Sequence, residues 1–109
     1  MFKPDKRLKR LYDKYNRLYW DNQLPHDAVI GWDDGTTNCA EINVLEHETG
    51  QKVCVLHINP KEIHKREDKE IAVLHECIHA KLYPYTRHGQ RFKEEVRRIA
   101  ARGALDNLI

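Results

Sequence analysis

The stretch that most limits what this chain can become is His75-Glu76-Cys77-Ile78-His79. Four helical residues advance about 400°, so imidazoles at this spacing lie about 40° apart, one turn up, on one face. Ile71, Leu74, Ile78 and Leu82 recur through the segment at helical spacing, and Glu67, Asp68 and Glu70 gather near its start, where a helix dipole favours acids. Pro84 ends the run, because the residue before a proline resists the helical region. The segment is therefore expected to be a helix whose apolar residues anchor it and hold His75 and His79 rigidly toward one point. Glu76, about 100° around from His75, stands beside that point rather than on it.

Two imidazoles converging this way suit a metal ion, zinc above all. A carboxylate beside them is placed to take a proton from water, which is the arrangement of zinc peptidases. A catalytic zinc takes three protein ligands and leaves a fourth position open. One zincin type needs Gly three residues after the second His and a third His three residues later. Leu82 and Tyr85 occupy those positions here and exclude it. His88 is the preferred third ligand, because Pro84 lets the chain fold back and Gly89 loosens the link beyond it. Glu94 and Glu95, further along, are the alternatives. Tyr83 and Tyr85 are equally placed to donate to an oxyanion or to pack as hydrophobes. His26, His47, His57 and His64 have no ligand spacing, although His57, on the most apolar strand, could lie nearby.

The rest of the chain reads as a frame for this helix. Leu8, Leu11, Tyr12, Tyr15, Leu18 and Tyr19 form one apolar stripe of a helix over 5–20, with Pro4 and Asp5 suited to its opening. Asp21 to Pro25 stops it. Strands are expected over 28–32, 37–44 and 52–58, joined by turns at Asp33-Asp34-Gly35 and Glu46 to Gly50. Two turns joining three strands suggest an antiparallel meander. Phe92, Val96, Ile99 and Ala100 mark a last helix that Gly103 stops. The expectation is an α+β domain with an N-terminal helix, a three-stranded sheet, the His-bearing helix and a C-terminal helix. At 109 residues it reads as a single domain, 1–109. Cys39, Cys54 and Cys77 have no C-x-x-C spacing and read as reduced thiols packed as small hydrophobes. No apolar run reaches the roughly 20 residues of a membrane span, and the charged start, Met1 to Arg10, is not a signal peptide. A cytoplasmic or nucleoid-associated monomer without membrane contact is expected.

Charge is unevenly spread. Residues 1–20 hold seven Lys/Arg against two Asp, residues 21–60 hold one Lys against seven acids, and residues 87–109 hold six Lys/Arg against three acids. Basic ends suit either solvated helix faces or nucleic acid.

His75-Glu76-Cys77-Ile78-His79-Ala80 followed by His88-Gly89-Gln90-Arg91-Phe92 resembles the SprT-like (Spartan-type) zinc metalloprotease family. Its H-G-x-x-F stretch is matched by the second segment. Tyr15 to Trp20 with Leu24-Pro25, and Leu56-His57-Ile58-Asn59-Pro60, resemble its opening helix and the strand before the active helix. The resemblance implies a minimal zincin-like fold and one zinc per chain on His75, His79 and His88, with Glu76 as the catalytic base. It implies a zinc metalloendopeptidase acting on protein or peptide, including DNA-associated or DNA-crosslinked protein, with non-specific DNA contact through the basic terminal helices. Three features depart from the family: no Cys follows position 77, so the zinc ribbon of many bacterial members is not expected; Cys39-Ala40-Glu41 replaces the common Ala-Gly pair; and the length is that of a protease core alone. The competing expectation is a zinc-stabilised DNA- or protein-binding module without turnover.

Overall fold

The computed structural model of the chain describes residues 2–35, 40–46, 52–82 and 88–104. Its elements are β1 (Phe2–Pro4), α1 (Lys6–Trp20), β2 (Val29–Asp33), β3 (Ala40–Glu46), β4 (Lys52–Ile58), a 3-10 turn at Pro60–Glu62, α2 (Arg66–Leu82) and α3 (Gln90–Ala101). The architecture is α+β, as expected. No described helix is long and apolar enough to cross a membrane.

The sheet differs from a meander. Its order is β1-β2-β4-β3. β4 runs parallel to β2, with Val29 opposite Val55 and Trp32 opposite Ile58. β3 pairs antiparallel with the outer side of β4. The cause is legible in the strands themselves. Val53-Cys54-Val55-Leu56 is an unbroken apolar run, the mark of a strand with neighbours on both sides and helices against it. Ala40 to Glu46 is interrupted by Glu41, Asn43 and Glu46 and takes the edge. The unexpected β1 pairs antiparallel with β2. Gly31 permits that pairing, since a Cβ there would meet the Lys3 carbonyl oxygen at 2.2 Å.

A polar clasp fixes α1. Asp5 is its N-cap rather than a first-turn residue: Oδ1 accepts from the Arg7 and Leu8 amides at 2.7 and 3.1 Å. Oδ2 accepts from Trp32 Nε1 at 3.0 Å, so one carboxylate ties the helix start to β2. At the far end Asp21 and Asn22 adopt φ of 49° and 62°, a left-handed stop that Asn and Asp tolerate. The buried Asn16 accepts from the Leu24 amide at 3.0 Å and donates to the Leu24 carbonyl at 3.3 Å, while the Tyr12 hydroxyl donates to the Pro25 carbonyl at 2.8 Å.

The core gathers Leu8, Tyr12 and Trp20 from α1, Ile30 from β2, Leu56 and Ile58 from β4, Val73, Leu74, Cys77 and Ile78 from α2, and Ile99 from α3. α2 contacts α1, α3, β3 and β4, which is why its buried residues run around most of its circumference. Its apolar phase differs from expectation in one place, since Ile71 is 46% exposed and Ala72 and Val73 take the inward positions. Cys54 and Cys77 are free and buried, as expected of small hydrophobes; Cys39 lies outside the described residues.

Candidate metal centre

The start of α2 is set by its own sequence. Asp68 Oδ2 reaches back to accept from the His64 and Lys65 amides at 3.1 and 3.0 Å, satisfying donors that a helix N-terminus leaves open. Just upstream the buried Asn59 accepts from the Lys61 amide at 3.0 Å. The helix so aligned carries His75, half-buried, and His79, 9% exposed, on one face, with Glu76 fully buried beside them.

The third imidazole comes from the other side. His88 immediately precedes Gly89, the N-cap of α3. α3 is in turn pinned to α1: Trp20 Nε1 donates to Glu95 Oε1 at 2.7 Å, Arg98 Nε donates to the same oxygen at 3.0 Å, and the Arg98 guanidinium lies 5.8 Å from the Trp20 ring centroid. Arg102 adds a bond to the Tyr19 carbonyl at 3.4 Å. Helix α1 thereby sets where α3 lies, and α3 sets where His88 lies.

The three imidazoles meet. His79 Nε2 is 2.9 Å from His75 Nε2 and 2.9 Å from His88 Nε2, and one ligand atom from each residue falls within 4.8 Å of the others. An imidazole nitrogen carries either one proton or one lone pair, so His79 Nε2 cannot serve as donor to one neighbour and acceptor from the other. A cation among three lone pairs resolves that crowding. Burial, then the neighbouring His79 and His88, depress the His75 pKa to about 4. Burial and His88 lower that of His79 as well. Both are thus neutral, as a metal ligand must be. The group can bind a metal ion, and a donor set of three imidazoles fits zinc.

The remaining expected residues lie elsewhere. Glu94 is exposed and accepts from Gln90 at 3.1 Å, and Glu95 is held by Trp20 and Arg98, so neither alternative joins the imidazoles. His57 pairs with Asp33 at 3.0 Å; His26 and His64 are exposed. None of these three is part of the group. Tyr83, Tyr85 and His47 lie outside the described residues. Burial and Glu76 raise the Cys77 thiol well above its ordinary range, and burial pushes Cys54 up to about 12, so both stay protonated in the core. Phe92, read as a helix-packing hydrophobe and as the last residue of the H-G-x-x-F stretch but given no role in the site, touches all three imidazoles.

Residues 8–107 match the model of the SprT-like family. The chain belongs to the SprT-like family. The match spans α2 with His75 and His79, the His88 position ahead of α3, and most of the α1 segment that positions α3. SprT-like proteins are associated with zinc metallopeptidase-like function, which agrees with a three-histidine group able to hold a metal. No curated protein and no solved structure matches this SprT-like chain significantly.

Proposed function

We propose that this SprT-like chain is a zinc-dependent endopeptidase in which His75, His79 and His88 hold the ion and Glu76 is the general base. The observation that carries this reading is the convergence of the three Nε2 atoms, two of them from the helix that also carries the buried Glu76 one residue after His75. Zinc bound there would supply a Lewis acid for a peptide carbonyl and bring the acidity of water near neutral pH. Glu76 accepts the proton of the attacking water and delivers it to the departing amine nitrogen, so the carboxylate is regenerated as the peptide bond breaks. Its burial keeps bulk water from competing for that proton. β3 is an edge strand lying against α2, and an extended substrate added along it would be recognised through its backbone, giving broad sequence tolerance.

The substrate class proposed is protein associated with or crosslinked to DNA. Support comes from the contact between α1 and α3 through Trp20, Glu95 and Arg102, which joins the two basic ends of the sequence in space. Phosphate contacts from such a surface are sequence-independent and weaken steeply with salt.

Cleavage of casein by the wild type and by Glu76→Gln, both assayed for bound zinc, tests the catalytic reading. The wild type is expected to be faster by about 10²–10⁴-fold at equal zinc content. Equal rates would remove Glu76 from the role, and zinc uptake with no cleavage by either would favour a zinc-stabilised binding module.

A further inference from the structure

Phe92 occupies the first turn of α3, four residues after His88. Its ring centroid lies 4.5 Å from that of His88, 5.1 Å from His79 and 5.2 Å from His75, with interplanar tilts of 40°, 42° and 56°. These are the separations at which aromatic rings attract one another. The three imidazoles also touch each other, with centroids 4.6 to 4.9 Å apart. A single aromatic side chain therefore contacts all three rings at once, while it also packs against the core.

We propose that Phe92 is a positioning residue that sets the ring orientations of His75, His79 and His88 for the metal. The inference rests on the metal-binding reading above and goes beyond it by assigning the orientation of the ligands to one residue that holds no metal itself. Torsion about the terminal side-chain bond of histidine is broad, so each Nε2 can swing on an arc unless something flat stops the ring. His75 and His79 share a rigid helix, but that fixes only their backbones. His88 is exposed and precedes a glycine cap without a side-chain hydrogen bond, so local structure constrains it least. It is also the imidazole nearest to Phe92. Groups behind the ligands that fix ring orientation commonly contribute 10–100-fold in metal affinity. Hydrogen bonds do this in most sites; here an aromatic face does it for three ligands together.

The test compares Phe92→Leu, which keeps an apolar side chain but removes the flat face, with Phe92→Tyr, which keeps the ring. Zinc affinity is measured by chelator competition, and the visible absorption of the cobalt-loaded proteins reports ligand geometry. Phe92→Leu is expected to bind zinc about 10–100-fold more weakly and to show an altered cobalt spectrum, with the metal-free melting temperature close to wild type. Phe92→Tyr is expected to match the wild type in both readouts. Should Phe92→Leu not fold, Phe92→Met, which is unbranched and adaptable, carries the same comparison. Wild-type affinity and spectrum in the non-aromatic variant would overturn the proposal, as would an equal loss in Phe92→Tyr. A wild type that takes up no metal would instead overturn the metal reading itself, so the two failures are distinct.

Discussion

In the clasp around α1, buried polar groups are answered by the chain itself. Asn16 satisfies both backbone groups of Leu24, Tyr12 caps the Pro25 carbonyl, and Asp5 serves two elements with its two oxygens. Across the core, His75, His79 and His88 present the same kind of atom to one another, and no rearrangement of protons pairs all three. The first region is complete when folded. The second is a group able to hold a metal ion. Folding stability and ligand binding should therefore respond to different residues, although both draw on α1 through the Trp20–Glu95 bond.

The sharpest break of that comparison is at the ligands. His88→Ala should lower zinc affinity by more than the roughly 100-fold that changes behind a ligand produce, while the melting temperature in excess chelator stays near that of metal-free wild type. Calorimetry with and without chelator checks this, and a large loss of metal-free stability would mean that the imidazoles also hold the fold together. Asn16→Ala should do the reverse. It leaves the Leu24 amide and carbonyl without their partner, at about 2–3 kcal/mol, and should leave the zinc affinity of the folded protein unchanged; urea titration and chelator competition on one sample read both. Gly31→Ala brings a Cβ against the Lys3 backbone and should cost about 1–3 kcal/mol by displacing β1, again without effect on metal binding.

Glu95 sharpens the comparison because it belongs to both regions. Burial acts to raise its pKa, but Arg98 and Trp20 outweigh that and hold it below the ordinary 4.5. A carboxylate with a depressed folded pKa contributes stability above its unfolded value, and that contribution is lost as pH falls through the folded value. Glu95→Gln should thus be less stable than wild type by about 1–2 kcal/mol at neutral pH, with the gap closing below pH 4.5. Denaturation curves at pH 7 and near pH 3 decide it; a gap of constant size would show that the charge of Glu95 contributes nothing.

The sequence was most informative where chemistry repeats with the helical period. The i, i+4 histidines, most of the apolar stripe of α1 and the strand over 52–58 were legible, because each is a local pattern; Leu18 of the stripe is exposed, and β3, expected to end at Val44, runs on to Glu46. His88 was legible as the residue where a broken helix folds back. Strand order was not. Adjacent strands in sequence suggested hairpins, whereas the apolar continuity of Val53 to Leu56 was the better guide and placed β4 between its neighbours. β1, three residues containing a proline, is too short to show any period. Ile71 fell in register with the buried residues yet faces outward, because α2 is enclosed on several sides and its buried set is wider than one stripe. Phe92 was visible as a hydrophobe and as part of the H-G-x-x-F stretch, but its contact with three rings was not, since that depends on where α1 places α3.

The two margins of the sheet differ in a way that bears on how the protein behaves when concentrated. At one margin, β1 spans only Phe2–Pro4; proline lacks an amide donor and Lys3 adds charge, both of which discourage a second chain from adding there. At the other, β3 runs seven residues. Among the described residues, addition of a second strand is therefore disfavoured at β1 relative to β3. A second copy added along β3 would cover the same margin proposed to receive the substrate.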